Sequence, residues 1–135
     1  MRNTMIELNL QRAIPLASLW FVAVTGIAWA QPMNLPQPSP GLMLQPAQGK
    51  RLFDKSCAVC HGPNLKGSDK GPPFLHPVYE PSHHGDASFQ AAVRYGVRAH
   101  HWKFGDMPPV QGVSADDVAH ITAYVRQQQR LVGIR

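Results

Sequence analysis

Two cysteines and a histidine in the order C-x-x-C-H constrain this 135-residue chain more than any other feature. Cys57 and Cys60 are the only cysteines, and His61 directly follows the second. Thiols three positions apart lie on one face of a helical turn, where both can add to the vinyl groups along one edge of a haem. The adjacent imidazole can then ligate the iron. The motif therefore predicts one covalent c-type haem with His61 as the proximal ligand.

Two other uses of a C-x-x-C pair stay open at this point. A redox disulfide of the thioredoxin kind is expected near a βαβ pattern, and a zinc site needs a second pair of ligands. No alternating strand–helix pattern surrounds Cys57 and Cys60, and there is no second C-x-x-C. Both observations favour haem over the alternatives.

The first 30 residues have the features of an export signal. Arg2 and Arg12 bracket a polar leader, and residues 13–30 are mostly apolar and end in the small-x-small sequence A-W-A. We expect residues 1–30 to be a signal peptide cleaved near Ala30, with the mature protein in the periplasm. The alternative is an uncleaved anchor that tethers the domain to the membrane, facing the periplasm.

The charge of the chain argues against one class of partner. Without the leader the net charge is about +4, and the basic residues form no stripe. We therefore expect no nucleic-acid binding. A mildly positive surface suits acidic redox partners, a donor and an acceptor, because it accelerates association. The candidate docking lysines are Lys55, Lys66, Lys70 and Lys103.

The remaining chain divides into a spacer and one domain. Residues 31–46 contain five prolines, which predict an extended linker that acts as a tether or a disordered N-terminus. Residues 47–135 form the domain. Its predicted helices span about 47–59, 87–95 with Asp86 as N-cap, and a last helix capped by Ser114.

The fold class is predicted to be all-α, with three or more short helices and long loops. Asp117, three positions after Ser114, completes a capping box, and Arg126 and Arg130 favour the C-terminal end of the last helix. No alternating pattern indicates a strand. So much loop in a small domain is explained if a haem forms the core, and we expect the haem-free chain to be poorly folded.

Met107 is the candidate for the second axial ligand. It lies in the sequence G-D-M-P-P, where two prolines restrict the backbone and can fix the sulfur over the haem. The other methionines fall in the leader or the spacer. Histidine is the rival, because His100 or His101 could replace Met107 and give a lower potential.

Two histidine pairs suggest a second metal site. His83-His84 and His100-His101 could bind copper or zinc, the metals that suit imidazole ligands. Solvated histidines are the alternative. His120 lies beside the apolar stripe of the last helix and is interpreted as structural.

Together these residues resemble the class I mono-haem cytochrome c family, over residues 46–131. The resemblance implies that the first and last helices cross, with Gly49 and Phe53 meeting Tyr124. It also implies that the segment G-P-P at 71–73 supplies the Pro72 carbonyl, which accepts the other N–H of His61. The M-P-P sequence at 107–109 matches the methionine loop of the family.

The resemblance implies an electron-transfer protein rather than an enzyme. Three alternatives stay open: a small haem c subunit of an oxidase or dehydrogenase, a peroxidase or gas sensor if the iron has an open position, and a copper-binding sensor or metal-handling module. The histidine-rich stretch from 76 to 101, with Trp102, departs from the family pattern. It is interpreted as a partner contact or an added metal site.

Overall fold

The computed structural model describes residues 34–135, so the predicted signal peptide and residues 31–33 of the linker lie outside the described residues. The elements are α1 (Pro46–Ser56), α2 (Ala58–His61), α3 (Asp86–Tyr95), α4 (Ala115–Leu131) and two 3-10 turns, Pro63–Leu65 and Pro77–Tyr79. Within the described residues the only β pairing is an isolated bridge. The all-α prediction is confirmed.

The first predicted helix is two helices. Pro46 begins α1 at a position that tolerates proline, because the first N–H of a helix has no partner within it. Cys57 departs from helical geometry between α1 and α2, although its N–H still bonds the Phe53 carbonyl at 2.8 Å. α2 continues through His61 and ends at Gly62, whose φ is +70°. The haem motif therefore occupies one helical turn after a break.

α1 and α4 cross at very close range. A Cβ at Gly49 would lie 1.9 Å from the His120 carbonyl oxygen, so only glycine fits there. The Phe53 ring is fully buried, with its centroid 5.9 Å from that of Tyr124. This is the crossing that the resemblance implies.

α3 begins one residue earlier than predicted, and its cap is different. Gly85 is the N-cap, and Asp86 is the first helical residue. The carboxylate of Asp86 accepts a hydrogen bond from Nε of Arg126 at 2.8 Å, so it does not cap the helix. The prediction of Asp86 as N-cap is wrong because this tertiary partner engages the side chain.

α4 has the predicted cap and an unexpected arginine. The Ser114 hydroxyl accepts from the Asp117 N–H, and the Asp117 carboxylate accepts from the Ser114 N–H, which confirms the capping box. Arg126 does not act at the C-terminal end of α4, as the sequence suggested. It is buried, and besides Asp86 it donates to the carbonyls of Tyr79 and His84. This guanidinium joins α4 to the loop before α3.

The proline-rich segment is extended but not free. The N–H and hydroxyl of Ser39 donate to the Asp116 carboxylate at 2.6 and 2.8 Å, and the Gln45 N–H donates to Nδ1 of His120 at 3.1 Å. The backbone and side-chain hydrogen bonds from Ser39 lower the pKa of Asp116. Within residues 34–45 the predicted linker is therefore attached to α4 at Ser39 and Gln45. In the described part of the chain, no helix is long and apolar enough to cross a membrane.

Candidate functional site

One cavity of about 640 Å³ collects the residues that the motif singled out. A volume in the range of about 300–1,000 Å³ is typical of cofactor pockets. Its walls come from the end of α1, from α2, α3 and α4, and from the loops before α3 and α4. Among the lining residues are Cys57, Cys60, His61, Pro72 and Met107. These five positions, spread over 51 residues of sequence, therefore share one site.

His61 is oriented by a backbone carbonyl. Its Nδ1 lies 3.0 Å from the Pro72 oxygen, the contact that the resemblance implies. Burial lowers the pKa of His61, against a smaller opposing effect of this hydrogen bond, so the ring is neutral near pH 7. A neutral imidazole facing an acceptor carries its proton on Nδ1. Nε2 is then left with a lone pair for a metal.

A stacked aromatic ring also holds the imidazole of His61 in place. Phe74 stacks on it, with ring centroids 4.3 Å apart and an angle of 25° between the planes. The Phe74 carbonyl in turn accepts from Nε2 of the fully buried Gln129, at 2.9 Å. The support of the imidazole therefore extends to α4.

The loop after the motif folds back onto it. The Gly67 N–H donates to the His61 carbonyl at 2.8 Å, and the Ser68 hydroxyl donates to the Cys60 carbonyl. A Cβ at Gly71 would lie 2.9 Å from that same Cys60 carbonyl oxygen. The close approach of this glycine allows Pro72 to reach the imidazole.

The Cys57 thiol does not have the lowered pKa of a reactive redox cysteine. Burial raises the pKa of Cys57 to about 11, with a smaller contribution from Cys60. Reactive C-x-x-C thiols have lowered pKa values instead. Both cysteines are unpaired, and they are absent from the one group of side chains that converges like metal ligands among the described residues. The thiols line an apolar cavity, which suits bonding to an apolar cofactor.

Met107 is fixed by backbone pairing. Its N–H donates to the Val97 carbonyl at 2.8 Å, and its carbonyl accepts the Val97 N–H at 2.9 Å. Gly96 makes this approach feasible: its φ is +75°, and a Cβ there would lie 2.4 Å from the Met107 oxygen. The methionine loop is thereby attached to the end of α3.

Trp102 has a role that the sequence did not indicate. It lines the cavity, and its indole N–H is buried and makes no hydrogen bond of standard geometry among the described residues. Burial raises the pKa of Tyr79, and the Tyr79 side chain is close enough to this N–H for a smaller opposing effect that lowers the pKa. A buried donor that is poorly satisfied is costly, so this N–H is suited to a polar group of a bound molecule. A tryptophan directly after a histidine pair carries no motif that could have revealed it.

The structure brings together three of the four paired histidines. One ring nitrogen each from His83, His84 and His101 lie within 4.8 Å of one another. His100 is not part of this group, and its Nδ1 lies 2.8 Å from the Arg98 carbonyl oxygen. The pKa of His101 is lowered by desolvation and by the neighbouring imidazoles.

Two of the remaining histidines have structural contacts. His76 accepts from the Val78 N–H at 3.2 Å and caps a 3-10 turn. His120 is buried beneath Gln45, in agreement with its interpretation as structural.

Comparison with known proteins identifies the family. A family model described as Cytochrome c matches residues 46–129, which is more than half of the chain and includes the C-x-x-C-H motif and Met107. No solved structure matches the chain. The family match supports covalently bound haem c and an electron-transfer role. The chain belongs to the cytochrome c family.

Proposed function

We propose that this protein carries single electrons on one haem attached through Cys57 and Cys60, with His61 and Met107 as axial ligands. The observation that carries the proposal is the meeting of both ligand candidates on one cavity with both thiols. When bound, the haem supplies a one-electron iron couple. A thioether opposite an imidazole favours ferrous iron and raises its potential.

The residues around the cavity suit both the apolar macrocycle of a haem and its acidic propionates. The lining is largely apolar, as the macrocycle requires. The acidic propionates need donors, and Trp102 supplies a buried N–H that makes no hydrogen bond of standard geometry in the described chain. Arg98 also borders the cavity and adds a positive charge. We propose that Trp102 and Arg98 bind the propionates.

Contacts with the backbone hold both His61 and Met107 in position. The Pro72 carbonyl fixes the His61 tautomer and increases the basicity of the imidazole, as outer hydrogen bonds to metal ligands do. The bridge to Val97 limits the movement of Met107. A coordination shell that does not change between oxidation states costs little reorganisation, which suits electron transfer.

We propose that redox partners dock at four exposed lysines of the domain. Lys55, Lys66, Lys70 and Lys103 are all exposed, whereas Lys50 pairs with Asp54 at 2.6 Å. We propose acidic redox proteins as donor and acceptor, met in the periplasm after export. Steering by such charges weakens with salt, so electron-exchange rates should fall as ionic strength rises.

A redox titration followed by visible absorption tests the proposal. We expect one reversible one-electron transition and no carbon monoxide binding by the reduced protein, because both axial positions are filled. Rapid carbon monoxide binding with a high-spin ferric spectrum would contradict it and favour a catalytic or gas-sensing haem.

A further inference from the structure

Three imidazoles that are not among the residues proposed to hold the haem converge beside its cavity. The Nε2 atoms of His83 and His101 are 3.1 Å apart. Two nitrogens bound to one tetrahedral metal ion at about 2.0–2.1 Å lie about 3.3 Å from each other. This pair therefore already has the separation of two ligands of one ion, and the nitrogen offered by His84 lies within 4.8 Å of both.

His84 is oriented as a metal ligand usually is. Its Nδ1 lies 2.6 Å from the Val78 carbonyl oxygen, so the neutral ring carries a proton there and leaves Nε2 with a lone pair. Metal-bound histidines commonly donate their other N–H to a carbonyl in this way. The backbone of His84 is also anchored, because its own carbonyl accepts from the buried Arg126.

We propose that His83, His84 and His101 bind one divalent transition-metal ion of the Zn²⁺ or Cu²⁺ type. Imidazole nitrogens suit these ions and not Mg²⁺ or Ca²⁺, which prefer oxygen. His83 and His101 are exposed and His84 is half-buried, so an ion can enter from solvent. Three ligands leave a fourth position for water.

The position of this site gives it a consequence for the haem pocket. His84 and His101 also line the cavity. A bound ion would join the turn before α3 to the loop that precedes Trp102, two segments separated by more than 15 residues in sequence. The inference goes beyond electron transfer, and it rests on the proposed function in one respect: Met107, and not His101, is the second haem ligand.

The competing explanation is a plain hydrogen bond between two imidazoles. At 3.1 Å, one Nε2–H of the His83–His101 pair can donate to the other Nε2 without any metal. That explanation requires no third imidazole and predicts no retained ion. Metal retention therefore separates the two.

Equilibrium dialysis of the untagged, haem-loaded protein against Zn²⁺, Cu²⁺ or Mg²⁺ tests the proposal. We expect one Zn²⁺ or Cu²⁺ and no Mg²⁺ per chain. Losing an outer-sphere partner already costs about 10- to 100-fold in affinity, so His83→Gln or His101→Gln should cost at least about 100-fold. His100→Gln is the matched control, and we expect a change of less than about threefold because its ring is outside the converging group.

Thermal unfolding gives a second readout that does not require a variant. Zn²⁺ that binds the folded protein should raise its midpoint, whereas Mg²⁺ should not. An unchanged visible spectrum in each variant shows that the domain is folded. Failure to retain either ion, or equal losses in His100→Gln and His101→Gln, would overturn the proposal.

Discussion

The main chains of Val97 and Met107 exchange two hydrogen bonds, of 2.8 and 2.9 Å, across the mouth of the loop between them. This isolated bridge is the only β pairing within residues 34–135. It ties the proposed sulfur ligand to the end of α3, and the side chain of Asp106 accepts from the Ala99 N–H at 2.8 Å to brace the same loop. The methionine is therefore positioned by backbone contacts rather than by a helix.

Gly96 is predicted to be essential for this arrangement. Gly96→Ala should destabilise the haem-loaded protein by at least about 3 kcal/mol, because it combines a strained backbone with a clash against the Met107 carbonyl. Gly105→Ala is the control: φ there is also positive, at +86°, but the space is open. It should cost about 1–2 kcal/mol. Denaturant unfolding measures both, and equal losses would show that the contact with Met107 does not matter.

Met107→Ala should change the spectrum and the potential of the haem. Loss of the sulfur removes the weak absorption band near the red end of the ferric spectrum. The potential should fall by about 0.1 V or more, within the range of about 0.8 V that axial ligands span. Met43→Ala is the control, since Met43 is 81% exposed in the docked N-terminal segment. A band that persists in Met107→Ala would exclude this residue as the sulfur ligand, and absence of the band from the unaltered protein would favour His100 or His101.

Arg126 is predicted to stabilise the loop before α3, which carries His83 and His84. Arg126→Met removes the donor to the carbonyls of Tyr79 and His84 and should lower the free energy of unfolding by about 3 kcal/mol. Arg130→Met on the same helix should have little effect, because Arg130 is exposed. Chemical denaturation measures the difference. Similar values for the two variants would contradict the role assigned to the buried guanidinium.

The docking of the N-terminal segment should depend on pH at the acidic end. The pKa of Asp116 is lowered in the folded protein by the hydrogen bonds from Ser39. The stabilising contact is therefore complete above the unfolded value of about 3.9 and is lost as pH falls through the lowered folded pKa. The Ser39 amide resonance should shift in that acidic range in the native protein and not in Asp116→Asn. An inflection at or above the unfolded value would contradict the contact.

The sequence predicted the parts of this fold that depend on local pattern. Only a few adjacent residues determine the cap at Ser114, the glycine after α3 and the end of α2 at Gly62. The crossing of α1 and α4, with Phe53 against Tyr124, followed from the family resemblance, whereas the approach of Gly49 to the His120 carbonyl was not predicted. The prediction of Asp86 as N-cap was wrong because a residue distant in sequence, Arg126, donates to its carboxylate.

The site was predictable where a motif existed and not elsewhere. C-x-x-C-H and M-P-P are contiguous patterns, so their residues were identified. Phe74 and Trp102 have no such pattern, and their roles arise only when loops fold against α2 and α3. The histidine pairs were visible in the sequence, but which three converge is a property of loop geometry.

The most direct test of the account is the mass of the untagged native chain, expressed in a host with haem maturation and measured under denaturing conditions. The account predicts the added mass of one haem on the peptide that contains Cys57 and Cys60. Denatured protein that releases its haem, or that carries none, would contradict the covalent attachment on which the rest depends.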